Sequence, residues 1–346
     1  MPTDLIVVPE SRRAAIIELA REIVPGRRVA LSTHLNADGD GCGSESALAR
    51  LLSAQGLTPR IVNPTPWPDM FAFLLGDDVD DQTSRGSKAL RDVDLLIVLD
   101  ISDVSRLGNL ADSVRTLSVP KLVIDHHVPS NDPAGLISVS DTTACATAEL
   151  VYDLAIVMGW EISPLAARSL YTGMLTDTGG FRFSNTSPRC LAVAGQLLAY
   201  GVDPEDMYTR IYASAPSGRI RLMAEVLGTL EVDETHGLSW LTMSADALEK
   251  HGVKAEDLDG IVEHARSIAG TRMALFFRDL GHGKVKVSFR SVGGTDVNAF
   301  AKRFGGGGHA KASGALLPGT LDQVRELVVE SARAMLSGDV GATPAV

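Results

Sequence analysis

The chain has 346 residues, 45% of them hydrophobic and 22% charged, with a formal net charge of -11. That length suggests two domains, each able to bury a core without disulfides, and an acidic body argues against a protein that grips long nucleic-acid duplexes. The three cysteines (Cys42, Cys145 and Cys190) are widely spaced with no CxxC pair, no apolar run is long enough to cross a membrane, and no leader pattern stands at the N-terminus. A soluble cytoplasmic protein is expected.

In chain order, Arg28–Thr33 reads as a short buried strand and Ser44–Gln55 as a helix stopped by Gly56. Val93–Leu99 and Lys121–Ile124 are further apolar runs, of the kind that parallel strands covered on both faces present. Thr143–Met158 and Pro164–Leu175 read as helices, the second ended by Gly179-Gly180. This β-α-β rhythm predicts an α/β domain over residues 1–202 with a mostly parallel sheet. Asp203–Ala224 reads as a helical linker. The strand-like runs at 237–244, 272–279 and 284–291, with a helix at Leu321–Leu336, predict a smaller α+β domain over 225–338. The tail at 339–346 reads as loose.

Chemistry concentrates where the apolar runs end. His34 to Ser44 places one imidazole and two carboxylates, Asp38 and Asp40, among three glycines. A capping turn would account for Asp40 or Ser44, but not for His34 beside two crowded acids. Asp100 follows the second run directly, and Asp125-His126-His127 closes the third. In an open α/β sheet, ligands bind at the carboxyl ends of the strands. Three predicted strands deliver metal-ligand side chains at that end, and Asp177 adds a carboxylate where a helix breaks. Oxygen and nitrogen donors in this number suit two divalent ions, Mn2+ ahead of Mg2+ or Co2+. Two ions roughly 3.5–4 Å apart clamp the attacking and leaving oxygens of a phosphoryl displacement.

Lys284 to Lys311 carries six basic residues against one acid, and includes Gly305-Gly306-Gly307-Gly308-His309 after Phe304. Unobstructed backbone amides in a nest or helix start would hold an anion, His309 would add a donor, and Arg290 a bidentate phosphate contact. A flexible linker would need neither Phe304 nor His309.

These residues resemble the DHH phosphoesterase superfamily. The string Asp125-His126-His127 carries the family's name, and the glycine run ending in His309 is similar to the signature of its DHH-associated second domain. The resemblance spans about Arg28 to Leu317 and lies nearest the bacterial nano-RNase branch, known as bifunctional oligoribonucleases and 3'-phosphoadenosine-5'-phosphate (PAP) phosphatases, some of which also cleave cyclic di-AMP. It implies an active site in the cleft between the domains. His34 and Asp38 would hold one metal, and Asp40, His126 and Asp177 the other, with Asp100 bridging. His127 would touch the scissile phosphate or assist the leaving oxygen. Arg290, Gly306, Gly307, Gly308 and His309 would hold the substrate. Short oligoribonucleotides and adenine dinucleotides such as pApA are the implied substrates, and a homodimer the implied assembly. Ala37 stands where members often have proline, and Ala312-Ser313-Gly314 where two alanines often precede the glycine; neither removes a ligand. Exonucleases of the RecJ type share the motifs but usually carry extra nucleic-acid-binding domains. Family II pyrophosphatases lack the glycine-rich histidine motif. A non-catalytic cyclic-dinucleotide sensor would be expected to have lost ligands, and this chain keeps all six.

Overall fold

A computed structural model describes residues 3–258 and 260–338 and divides the chain into two compact units, 1–214 and 215–346. The predicted loose tail at 339–346 lies outside the described residues. The first unit contains helix α1 (Glu10–Ala20), strand β1 (Arg28–Ser32), α2 (Gly39–Ala54), β2 (Thr58–Ile61), β3 (Leu95–Leu99), α3 (Ala111–Thr116), β4 (Lys121–Asp125), β5 (Ile137–Ser140), α4 (Thr147–Met158), α5 (Pro164–Asp177), α6 (Pro188–Ala199) and α7 (Pro204–Tyr212). Its five strands form one parallel sheet in the order β2-β1-β3-β4-β5.

Alternation along the strands decides which side each residue packs on. Val29, Leu31, Leu95, Ile97, Leu99, Leu122 and Ile124 join the core built with α1, α2, α4 and α5. Ala30, Leu96, Val98 and Val123 face the other way, into a second core with Val104, Leu107, Leu110 and Val114. Because both faces are covered, these strands are apolar throughout, as their sequence suggests. The chain leaves β1 for the edge strand β2 and then returns to β3 on β1's other side. The order therefore reverses at β1 and β3, and the crevice at their carboxyl ends is the switch point where such sheets bind ligands.

Helix α2 starts five residues earlier than the expected Ser44. Asp38 is its N-cap, its side chain accepting from the amides of Asp40 (3.0 Å) and Gly41 (3.1 Å). The three glycines of this stretch lie inside the helix and serve close packing. A Cβ on Gly43 would stand 2.5 Å from the carbonyl oxygen of Ser169 on α5, and one on Gly41 would stand 2.7 Å from Oγ1 of Thr33. From the facing helix, a Cβ on Gly173 would meet Cβ of Ala148 at 2.6 Å and Oδ1 of Asp40 at 2.7 Å. Helix α4 starts at Thr147, four residues later than expected, because Asp141 takes the amide and hydroxyl of Thr143 into a turn.

Arg12 of α1, 4% exposed, reaches Asp141 (2.5 Å), Glu149 (2.6 Å) and Asp153 (2.9 Å), and Arg189 of α6 joins Glu149 and Asp153 at 2.6 Å each. The network ties α1 and α6 to α4.

The second unit comprises α8 (Ser217–Leu227), β6 (Glu231–Asp233), β7 (Leu238–Met243), α9 (Ala247–His251), α10 (Ile261–Arg266), β8 (Met273–Asp279), β9 (Lys284–Ser291), α11 (Val297–Lys302), β10 (Gly307–His309), β11 (Ala312–Pro318) and α12 (Leu321–Ser337). The residues expected to form a linker divide between α7 in one unit and α8 in the other. The sheet order is β10-β11-β9-β8-β7-β6, with β7 and β8 parallel and the other neighbours antiparallel. Val285, Val287 and Phe289 of β9 face the core beneath α11 and α12. The alternate residues Lys284, Lys286, Ser288 and Arg290 are exposed or half-buried on the opposite face.

Candidate metal centre

Side chains from five places meet beyond the carboxyl ends of β1, β3 and β4. His34 and Asp38 follow β1, Asp100 follows β3, His126 follows β4, and Asp40 and Asp177 come from the start of α2 and the end of α5. Three overlapping groups have ligand atoms within 4.8 Å of one another: His34, Asp38 and Asp100; Asp40, His126 and Asp177; and Asp100, His126 and His127.

Asp100 belongs to two of these groups. Its Oδ2 lies 3.4 Å from Nε2 of His34, and its Oδ1 lies 3.7 Å from Nε2 of His126. The residue has φ +63°, a left-handed conformation uncommon outside glycine, held in part by its amide donating to the carbonyl of Ile124 at 3.0 Å. Nε2 of His34 also faces Asp38 at 3.8 Å. Nε2 of His126 faces Asp40 at 3.9 Å and Asp177 at 3.7 Å.

The outward nitrogens decide the tautomers. Nδ1 of His34 lies 2.9 Å from the carbonyl of Leu35, and Nδ1 of His126 lies 3.3 Å from that of Ala144. A carbonyl only accepts, so each Nδ1 carries a proton and each Nε2 is the nitrogen turned toward the carboxylates. Nε2 of His126 is buried and has no hydrogen-bond partner among the described residues. A buried lone pair among carboxylates, themselves acceptors, is satisfied by a cation, so these residues fit divalent metal ions.

His127 is arranged differently. Its Nδ1 lies 2.8 Å from Oδ1 of Asp125, whose carboxylate also takes the His127 amide at 3.1 Å, and its side chain is 43% exposed. That pairing leaves Nε2 free and turns Asp125 into an orienting group.

Electrostatics reflect crowding. Burial, then the neighbouring Asp100, Asp177 and Asp38 carboxylates, push the Asp40 carboxyl well up. Burial pushes Asp177 up to about 6. Burial would lower His34, but its contacts with Asp100 and Asp38 outweigh that and raise it to about 10. The Asp38 carboxyl is lowered, since His34 overcomes the effect of burial. The protein concentrates negative charge here and holds it with helix amides: Thr147 and Ala148, opening α4, donate to Asp40 at 2.6 and 2.9 Å.

Several contributors escaped sequence reasoning. Thr147 donates its hydroxyl to Oδ1 of Asp100 at 3.0 Å. Asn185 donates to Oδ2 of Asp177 at 3.1 Å. Asn63 accepts the amide of Thr33 at 3.0 Å and donates to buried Glu45 at 2.8 Å, bracing the end of β1. No pattern in the sequence marks them, because each acts through contacts between distant segments.

In the second unit, the glycine run is neither nest nor helix start. Gly307–His309 forms strand β10 against β11. A Cβ on Gly306 would overlap the carbonyl of Gly314, so the glycines admit close backbone approach. His309 pairs with Ala312, and Ala312 with Arg290. Direct partners share a face, so Arg290 and His309 stand on one side of the sheet, two strands or roughly 9–10 Å apart, with only the Ala312 methyl between. Arg290 gives Nε to Glu263 at 2.9 Å and Nη1 to the Phe289 carbonyl at 3.1 Å, leaving Nη2 for a ligand.

Comparisons with known proteins agree with this architecture. The family model of the DHH family N-terminal domain matches residues 28–174, and that of the DHHA1 domain matches residues 238–337. A bifunctional oligoribonuclease and PAP phosphatase NrnA of Thermus thermophilus is 35% identical over 332 residues, 95% of this chain and 97% of that protein. Its namesake from Bacillus subtilis is 31% identical, covering 86% and 92%. Among solved structures, an exopolyphosphatase-related protein from Bacteroides fragilis superposes with a TM-score of 0.84 at 28% identity, covering 94% of this chain and 98% of that one. A manganese-bound RecJ exonuclease, at 16% identity and a TM-score of 0.53 over 97% of this chain and 96% of its own, shares the fold. By its matched domains and its full-length relatives, the chain belongs to the DHH family of metal-dependent phosphoesterases that carry a DHHA1 domain.

Proposed function

We propose that the chain hydrolyses short oligoribonucleotides such as pApA to mononucleotides, with PAP and cyclic di-AMP as further substrates, using two divalent ions, Mn2+ first among them. The observation that carries this reading is the split of Asp100, one carboxylate oxygen toward His34 and the other toward His126. A carboxylate so placed serves two ligand groups at once: His34 and Asp38 on one side, Asp40, His126 and Asp177 on the other. Divalent ions bound there supply Lewis acidity toward phosphoryl oxygens and lower the pKa of water.

The protein's own groups do the rest. His34 and His126 offer Nε2 to a metal ion, with Nδ1 held by the Leu35 and Ala144 carbonyls. His127, exposed and oriented by Asp125, presents Nε2 to the scissile phosphate or the leaving oxygen. Arg290 and His309, on one face of the second sheet, hold a substrate phosphate or terminal nucleotide beside the glycine hairpin. Names of the full-length relatives support the oligoribonuclease and PAP phosphatase substrates. A purely sensing protein finds no support, since every expected ligand is present.

The test is AMP release from pApA with Mn2+ and with excess chelator, beside pyrophosphate. Metal-dependent AMP release with pyrophosphate intact is expected. Pyrophosphate cleavage without AMP release would overturn the substrate reading, and turnover of neither would overturn catalysis.

A further inference from the structure

Thr147 is the first residue of α4 and is fully buried. It makes two contacts of different kinds. Its backbone N–H donates to Oδ2 of Asp40 at 2.6 Å, and its hydroxyl donates to Oδ1 of Asp100 at 3.0 Å. The first needs only a helix start, because the opening amides of a helix have no internal partner and any residue except proline supplies one. The second needs a side-chain hydroxyl at this position.

An aspartate side chain turns about χ1 and χ2, so nothing in its own chemistry makes its two oxygens face two different histidines. In Asp100 they do: Oδ1, with the Thr147 hydroxyl on it, lies toward His126, and Oδ2 lies toward His34. Its backbone is confined as well, at φ +63° with the amide bonded to Ile124. The hydroxyl holds one of the two oxygens in place, and with it the rotation of the carboxylate plane. The same residue, through its amide, holds Asp40, which belongs to the other ligand group.

We propose that Thr147 is a positioning residue that orients Asp100 as a bridging carboxylate and so couples the two ligand groups. The proposal rests on the two-ion reading of the site. Removing an orienting partner of this kind typically costs about 10–100-fold in metal affinity.

Thr147→Val keeps the shape and the backbone N–H and removes the hydroxyl; Thr147→Ser restores the hydroxyl without the methyl. Chelator-stripped protein is titrated with Mn2+ by calorimetry, and the loaded protein is examined by electron paramagnetic resonance for the exchange coupling of paired Mn2+ ions. Wild type and Thr147→Ser are expected to bind two equivalents with a coupled spectrum. Thr147→Val is expected to bind at least one equivalent about 10-fold or more weakly and to lose the coupling. Two equivalents in wild type together with unchanged affinity and coupling in Thr147→Val would overturn this proposal alone. A single equivalent in wild type would overturn the two-ion reading and the proposal with it. If Thr147→Val fails to fold, Thr147→Ser decides: retained coupled binding is the expected result, and its loss overturns the role of the hydroxyl.

Discussion

Nδ1 of His127 lies 2.8 Å from a carboxylate oxygen of Asp125, and this contact separates the duties of two adjacent histidines. Burial raises the cost of any unpaired nitrogen, so His126, with its Nε2 enclosed among Asp40, Asp100 and Asp177, belongs to the ligand cluster. His127, anchored through its other nitrogen and half-exposed, is free to face a substrate. His127→Ala should therefore keep its bound metal while kcat falls about 10^2–10^4-fold. His126→Ala should lose metal. Elemental analysis of the dialysed variants beside the pApA assay separates the two outcomes.

Asp100→Ala should abolish hydrolysis and bind less metal than wild type, because both ligand groups lose a shared carboxylate. The circular dichroism spectrum should be unchanged. Normal turnover in a folded Asp100→Ala protein would sink the bridging assignment.

Arg290→Ala and His309→Ala should each raise KM for pApA with little change in kcat and with metal content intact, the pattern of an interaction made equally in ground and transition states. Their alignment through Ala312 makes a further statement. If both hold one phosphate group, the double variant should lose less than the sum of the single losses. Strict additivity would place them on separate parts of the substrate.

Glu45 gives the folded protein a specific pH dependence. It is fully buried, and burial pushes its carboxyl up to about 8. Its folded pKa stands above the ordinary value of 4.5, so the neutral form is favoured by folding. That contribution is complete below about pH 4.5, is lost by about 1.4 kcal/mol per pH unit as pH rises from there to about 8, and levels off above 8. Urea unfolding of chelator-treated protein at pH 7 and pH 9 should show the fall, and Glu45→Gln should flatten it. Equal slopes in the two proteins would exclude Glu45 as the source.

Much of the first unit was legible in the chain because its strands are buried on both faces and end in polar residues. His34, Asp100 and His126 could each be found as the first chemistry after an apolar run. What stayed hidden depended on partners distant in sequence. Helix α1 escaped because its buried face carries Arg12, whose acceptors lie about 130–140 residues away, so no apolar period forms. Strand β5 (ISVS) is a short edge with too little pattern to register. For Gly41 and Gly43, nothing local shows that Thr33 and α5 press against them. Gly307–His309 likewise becomes a strand only because β11 lies alongside.

The contact between α2 and α5 carries a consequence for which ions the site can use. At Gly43 the two helices meet with no side chain between them, the carbonyl of Ser169 standing where a Cβ would be. Asp40 rides on one of these helices and Asp177 ends the other. Helices that touch through their backbones cannot drift apart by rotamer changes at the contact, as ordinary helix pairs do. The spacing of the two backbones that carry these carboxylates is thus a property of the frame, and only side-chain torsions remain to fit it to an ion. Ions with oxygen distances near 2.1 Å and ions that need about 2.4 Å, as magnesium and calcium do, will not be served equally by it. The approach of the two helices that carry Asp40 and Asp177 is built into two hydrogens on an α-carbon.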